Sequence, residues 1–371
     1  TVLWEPPSVT GEEAAPGVAA ASYHPLENKV IFIHGPMLEE VEERGSYSIR
    51  NRTALLVDGE GKFNSVRIDH RDISSEATAP GAHRGGTHRH EYSRDGIRIG
   101  FTYDDFLVQE YDRTIGFMQP DANAPEGYTH YFSVILKPAK IGESQAGEIE
   151  KAYGDSWIDA AGSMRAFIGK VRAKNGIDYE YDLFVADIPV DIKMSTSFSG
   201  SQDHYPEPPE GISIRRLTHN MDVTGIVRGS HDGSRIAFAA PDSEGVEQVF
   251  IISAHGPGKE AVQLTRLASP VSSIRWHPSG KWIFCLSDGN VFVTYLAGNS
   301  GPGRTVQLSN DRLPRDQLVV SQDGKLLAYI IPVPTRDASG AIVKDALGND
   351  FRQIFVMEVD WNSINQKVNI F

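Results

Sequence analysis

Short runs of alternating apolar and polar residues fill most of this chain, and the spacing of four to eight residues is that of half-buried β-strands. Five of these runs share one phrase: YHPLENKVIFI from Tyr23, YSRDGIRIGF from Tyr92, SHDGSRIAF from Ser230, HPSGKWIF from His277 and SQDGKLLAY from Ser321. Asp-Gly or Ser-Gly between β-branched and aromatic residues predicts a tight hairpin turn. A second phrase keeps time with the first: RRLTHN around Leu217, VQLTRL around Leu264 and VQLSND around Leu308. Both phrases step by 47 and then 44 residues, and chance recurrence of a common turn does not make two phrases step together. A repeat of about 40–50 residues built from four short strands predicts propeller blades.

The 137 residues between Ser93 and Ser230 are too many for one blade. Met164 to Ile188, with Asn175-Gly176 as its turn, supplies another blade, and YFSVILK from Tyr131 a further strand before it. The count is six blades within one propeller domain spanning 1–371, with Thr1–Trp4 left over as the end of another. Helices are scarce, Gln145–Ala152 being the best short candidate. Gln119–Thr129, Met194–Gly211 and Arg336–Asn349 read as loops inserted between strands, and long loops on such a scaffold often build its ligand face.

With 371 residues, 40% of them apolar and 23% charged, the chain can bury a large core. No apolar run approaches the roughly 20 residues that span a bilayer, so no membrane partner is expected. TVLWEPPSVT has neither the basic nor the apolar region of a signal peptide. A processed N-terminus is expected instead, on a secreted or periplasmic protein whose leader has been removed, and a monomer. A net charge of -13 argues against general nucleic-acid binding and leaves room for a polyanion met by a local basic patch. The lone Cys285 excludes an intrachain disulfide.

That basic patch is legible between His70 and Arg98, which holds His70, His83, His88 and His90 with Arg71, Arg84, Arg89, Arg94 and Arg98. Strict alternation along THRHEY would put His88, His90 and Tyr92 on one face and Arg89 and Glu91 on the other. Histidine exchanges protons near neutral pH and arginine holds carboxylate or sulfate in two-pronged fashion, so the cluster suits an acidic substrate that undergoes proton transfer. Taken singly, each histidine also reads as a satisfied polar residue at a blade edge. His88 and His90 could instead share a metal ion, although no third ligand is apparent. His277 with Cys285 could hold a structural zinc or calcium, against the plainer reading of a turn residue and a small buried hydrophobe. No cofactor is required for the chemistry itself, and no nucleophile elbow, P-loop or dinucleotide fingerprint is present.

HPLENKVIFIHGP, PGAHRGGTHRHEYSRDGIRIGFTYDD, IRRLTHN and WHPSGKW resemble the bacterial propellers that include the ulvan lyases, which are similar to the oligogalacturonate lyases. The resemblance runs over most of the chain. It implies an all-β, seven-bladed propeller of four-stranded blades whose first blade is incomplete here. It also implies β-elimination on a sulfated, uronate-bearing polysaccharide, the anionic partner expected. Carried over, it assigns His70, His90, Tyr153 and Arg165 to catalysis, with Arg165 neutralising the carboxylate and Tyr131 as a reserve tyrosine. Arg84, His88 and Arg89 then bind substrate. The alternatives are a glycan- or protein-binding propeller without catalysis, and a metal-assisted lyase of the oligogalacturonate type.

Overall fold

A computed structural model describes residues 3–4, 18–61, 64–73, 76–256, 260–296, 303–345 and 348–368. The chain divides into two compact units, Thr1–Asn220 and Met221–Phe371. In the first unit, β1 (Ala19–Tyr23), β2 (Lys29–His34), β3 (Thr53–Asp58) and β4 (Ser65–Arg67) make one antiparallel sheet. Then come β5 (Gly86–Tyr92), β6 (Ile99–Asp104), β7 (Thr114–Pro120) and β8 (His130–Val134), followed by β9 (Ile149–Trp157), β10 (Met164–Arg172), β11 (Tyr179–Asp187) and β12 (Ser213–Arg216).

The second unit repeats the plan. It has β13 (Thr224–Gly229) to β16 (Val262–Gln263) by way of β14 (Arg235–Pro241) and β15 (Glu247–Ser253). It continues with β17 (Val271–Trp276) to β20 (Arg304–Gln307) by way of β18 (Trp282–Ser287) and β19 (Asn290–Tyr295). Its third sheet joins β21 (Asp316–Val320), β22 (Leu326–Pro332) and β25 (Arg352–Glu358). The expected loop 336–349 is largely a hairpin there, β23 (Thr335–Arg336) with β24 (Ile342–Val343). Gln145–Ala152, the expected helix, is a turn leading into β9.

These sheets are the blades of an all-β propeller, and the described residues form six of them, not seven. Five have four strands and the sixth has three. The supposed remnant of a seventh is used differently. Trp4 is in no strand, and its indole packs on Phe32 at 5.2 Å and on His34 at 5.3 Å, covering an apolar face of the first blade. Thr1 lies outside the described residues.

The repeated phrase has a physical job. In Ser93, Ser230 and Ser321 the hydroxyl donates to the turn aspartate, Asp95, Asp232 or Asp323, at 2.6 Å. The same oxygen accepts the amide of the returning strand, from Arg98 at 2.9 Å, Arg235 at 3.0 Å and Leu326 at 2.9 Å. Where the phrase begins with histidine, the ring takes over and reaches the next blade. His24 Nε2 bonds Gly96 O at 3.1 Å, while its Nδ1 accepts Glu27 N at 2.9 Å. His277 lies against Gly324, where an added Cβ would fall 1.8 Å from Nε2. Each turn thus closes its own hairpin, and the histidine versions also tie neighbouring blades. His24→Ala should cost about 1 kcal/mol, the usual worth of one such bond, read as a lower urea midpoint at unchanged slope.

Candidate functional site

The site turns on an irregularity in β5. Its register runs Thr87↔Tyr103 and His88↔Thr102, then resumes at Glu91↔Gly100 and Tyr92↔Ile99, so Arg89 and His90 together stand opposite Phe101. Arg89 takes φ 61°, a left-handed conformation that some bulges use and that side chains other than glycine rarely adopt. Paired residues share a face, so His88 and Glu91 fall on one side of the sheet. His90 joins Thr87 and Tyr92 on the other, packing its ring 5.8 Å from Phe101. The strict alternation expected from sequence is broken, and with it the picture of His88 and His90 reaching one ion. Among the described residues no group of three or more His, Cys, Asp or Glu is placed to hold a metal. Cys285 is fully buried, and burial pushes its thiol up to about 12.

On the first-blade side of β5 lies a sealed polar chain. His90 Nε2 bonds Thr87 Oγ1 at 3.0 Å, Thr87 Oγ1 donates to Asp69 Oδ2 at 3.3 Å, and His83 Nε2 approaches the same oxygen at 3.3 Å without hydrogen-bond alignment. Burial works to raise the Asp69 pKa, but His83, His90 and the Ala54 amide together hold it down to about 2. Burial drives His90 down to about 3, so the ring is neutral. All four residues are essentially inaccessible. This chain staples the strand and cannot itself meet a sugar.

The accessible groups sit just outside it. His70, half-buried, stacks on Tyr128 with ring centroids 4.7 Å apart and planes 13° from parallel. Tyr128 comes from the inserted loop Gln119–Thr129. His70 makes no ring hydrogen bond among the described residues, and its buried Nδ1 is unpartnered. Burial chiefly, then the charges of His83 and Arg44 against that of Asp72, lower its pKa.

Arg44 ends the short helix α1 (Val41–Arg44). Its half-buried guanidinium, in electrostatic range of His70 and Tyr128, has no ion-pair partner among the described residues. The backbone beneath it is held by Asn51 Nδ2, which donates to Arg44 O at 3.0 Å, Gly45 O at 2.8 Å and Ser46 O at 2.9 Å. Buried Arg71 adds bonds to Arg44 O at 3.1 Å, Gly85 O at 3.2 Å and Arg50 O at 3.4 Å. His130 lies near Asp69, pushed down to about 4 mainly by burial.

The remaining sequence-predicted residues fall into other groups of the same unit. Arg84 is fully buried and donates to Asp105 Oδ2 from Nη2 at 2.8 Å and Nε at 3.2 Å. The left-handed Gly200 lies so close that a Cβ there would meet the guanidinium carbon at 2.7 Å. Arg165, also fully buried, is engaged by Asp155 through Nε at 2.7 Å and by Glu91 at 3.4 Å, with its guanidinium 4.6 Å from the Trp157 ring. Arg89 donates to Asp155 O at 2.9 Å. Tyr153 is on β9, its pKa raised by burial and then by Tyr181, and Tyr131 is buried on β8. His70 is thus stacked on Tyr128 with Arg44 in electrostatic range, while Arg165 is engaged by Asp155 and Glu91 and Tyr153 lies on β9. Arg44 and Tyr128 carry no motif. The signal available was that Tyr128 closes an inserted loop and Arg44 ends a helix otherwise rich in glutamate.

Residues 17–127 match a family described as "Protein of unknown function (DUF3748)". Over 341 residues, 84% of this chain and 79% of the relative, the sequence is 30% identical to the uncharacterized protein YidR of Escherichia coli (strain K12). The chain belongs to the YidR family. It is this family, and not the ulvan lyases, to which the comparisons tie it. Among solved structures, a study of two prolyl endopeptidases gives a TM-score of 0.53 at 12% identity over 97% of this chain and 43% of that one. TolB from Acinetobacter baumannii gives 0.47 at 15% identity over 84% of this chain and 58% of TolB. The chain therefore spans well under two thirds of either, and at such identity the peptidase likeness shows a shared fold alone.

Proposed function

We propose that the protein is a polysaccharide lyase that cleaves a uronate-bearing chain by β-elimination at the rim of its first unit. The observation that carries this reading is the His70–Tyr128 stack, with the Arg44 guanidinium, which has no ion-pair partner among the described residues, in electrostatic range of both. A uronate C5 proton is too weakly acidic while its carboxylate keeps full charge, and a guanidinium in a half-buried site offsets the charge that grows in the transition state. His70, neutral because its pKa is lowered, takes the C5 proton. The electron pair forms the C4–C5 double bond, the C4–O bond breaks, and the Tyr128 hydroxyl gives its proton to the departing oxygen. Proton return from His70 to Tyr128 through solvent resets the site. His90 and Arg165 serve this reading from behind, fixing the two faces of the β5 bulge. A polymer of this size would be met outside the cytoplasm.

The test is release of unsaturated uronate by wild type and by His70→Asn across pH. A base must be unprotonated to act, so kcat/KM should rise with pH through the His70 pKa and then level off. With that pKa lowered from the ordinary 6.5, the midpoint of the acid limb should lie below 6.5. His70→Asn should lose the limb together with the activity. Binding of a polyuronate with no unsaturated product would favour a glycan-binding propeller instead.

A further inference from the structure

The sixth blade lacks the outer strand that the other five have, which leaves its third strand, β25, as an edge among the described residues. After Glu358 the chain does not return as a fourth strand. It coils into helix α2 (Trp361–Lys367), capped by Asp360, whose carboxylate accepts Ser363 N at 3.1 Å. The third strands of the other blades, β3, β7, β11, β15 and β19, are mostly buried. In β25 every residue but Met357 is exposed, Ile354 at 75% and Val356 at 63%. Natural sheet edges are commonly blunted by proline, lysine or a bulge. RQIFVME contains neither proline nor lysine, and its register with β22 runs unbroken from Arg352 to Glu358.

The pairing with β22 fixes which backbone groups point outward. Val359 N donates to Lys325 O at 2.8 Å and Val333 N to Phe351 O at 3.1 Å, and such bonds fall on alternate residues of an antiparallel pair. Phe351, Gln353, Phe355, Met357 and Val359 therefore turn their backbone groups to β22. Arg352, Ile354, Val356 and Glu358 turn theirs to the open side. We propose that this edge pairs with the same edge of a second copy of the chain, antiparallel about a two-fold axis at Phe355, in place of the monomer expected from sequence. The axis sets Ile354 opposite Val356 of the second copy and Arg352 opposite Glu358 of the second copy, each pair occurring twice. Outward backbone groups then meet outward backbone groups, apolar side chains meet apolar ones, and arginine meets glutamate. Moving the axis to Ile354 or to Val356 would set Arg352 against Val356 or Glu358 against Ile354, so the charges select the register. Arg352 is available for this, since its ion pair with Asp316, at 3.9 Å, is exposed and worth little.

The experiment is sedimentation equilibrium of the full chain over a concentration series, with circular dichroism to check that each variant folds. Wild type should pass from the mass of one chain to the mass of two. Arg352→Glu and Glu358→Arg each set like charges opposite one another in both symmetric pairs, and each should weaken dimerisation by roughly tenfold or more. The double variant, with the two charges exchanged, should dimerise as wild type does. Val356→Lys, which places a charge in the apolar centre of the edge while leaving the bonds to β22 in place, should give the mass of a single chain. A single chain at every wild-type concentration, as when the edge serves a different partner, overturns the proposal. So does a dimer that Val356→Lys and both charge reversals leave intact, and a double variant as weak as the single ones overturns the register.

Discussion

Asp105→Ala is expected to remove about 3–5 kcal/mol from the stability of the first unit, the cost of leaving one member of a buried ion pair alone. The carboxylate accepts from Arg84 at 2.8 and 3.2 Å and from Tyr103 OH at 2.8 Å. It also accepts the amides of Leu107 at 2.9 Å and Val108 at 2.8 Å. Arginine does not deprotonate to escape burial as lysine does, so the Arg84 charge would remain in a site from which water is excluded. Asp105→Asn, which keeps an acceptor oxygen for some of these donors, should lose less. Urea melts of both variants give the comparison, and a wild-type midpoint for Asp105→Ala would contradict the role given to this pair.

Arg44→Ala should lower turnover on a polyuronate by roughly 10²–10³, or about 2.7–4 kcal/mol in the barrier, the effect of deleting one donor aimed at developing charge. The interaction strengthens as the C5 proton leaves, so the loss should fall mainly on kcat. Removing a positive charge near His70 should also raise that histidine's pKa and move the acid limb to higher pH. Folding should survive, because Asn51 and Arg71 hold the backbone of Arg44 and not its side chain. Circular dichroism beside the rate measurement separates the two effects.

The blades were readable because a hairpin is a local event. Ser-x-Asp-Gly closes its own turn, and strand alternation follows from burial of one face, so six sheets and their turns could be placed from residue types alone. The seventh blade came from resemblance and from four residues at the N-terminus, and Trp4 shows why those mislead: an apolar pair can cover a sheet as readily as join one. The site was less legible. A one-residue bulge at Arg89 puts on opposite faces two histidines that alternation would place together, and nothing in THRHEY announces it. Arg84 and Arg165 drew notice as cations, yet whether a cation is free depends on partners distant in sequence, Asp105 and Asp155 among them. Arg44 and Tyr128 escaped because their value lies in position: one ends a helix, the other closes a loop, and only the fold brings them to His70.

The central claim is elimination at the His70–Tyr128–Arg44 rim, and one measurement meets it directly. Wild type, Tyr128→Phe and Arg44→Ala are incubated in parallel with ulvan, pectin and alginate while the absorbance of the unsaturated uronate is followed. Steady product from at least one polymer with wild type, with a loss of at least about a hundredfold in both variants, is the predicted result. No unsaturated sugar from any of the three polymers, or full activity in both variants, would contradict it.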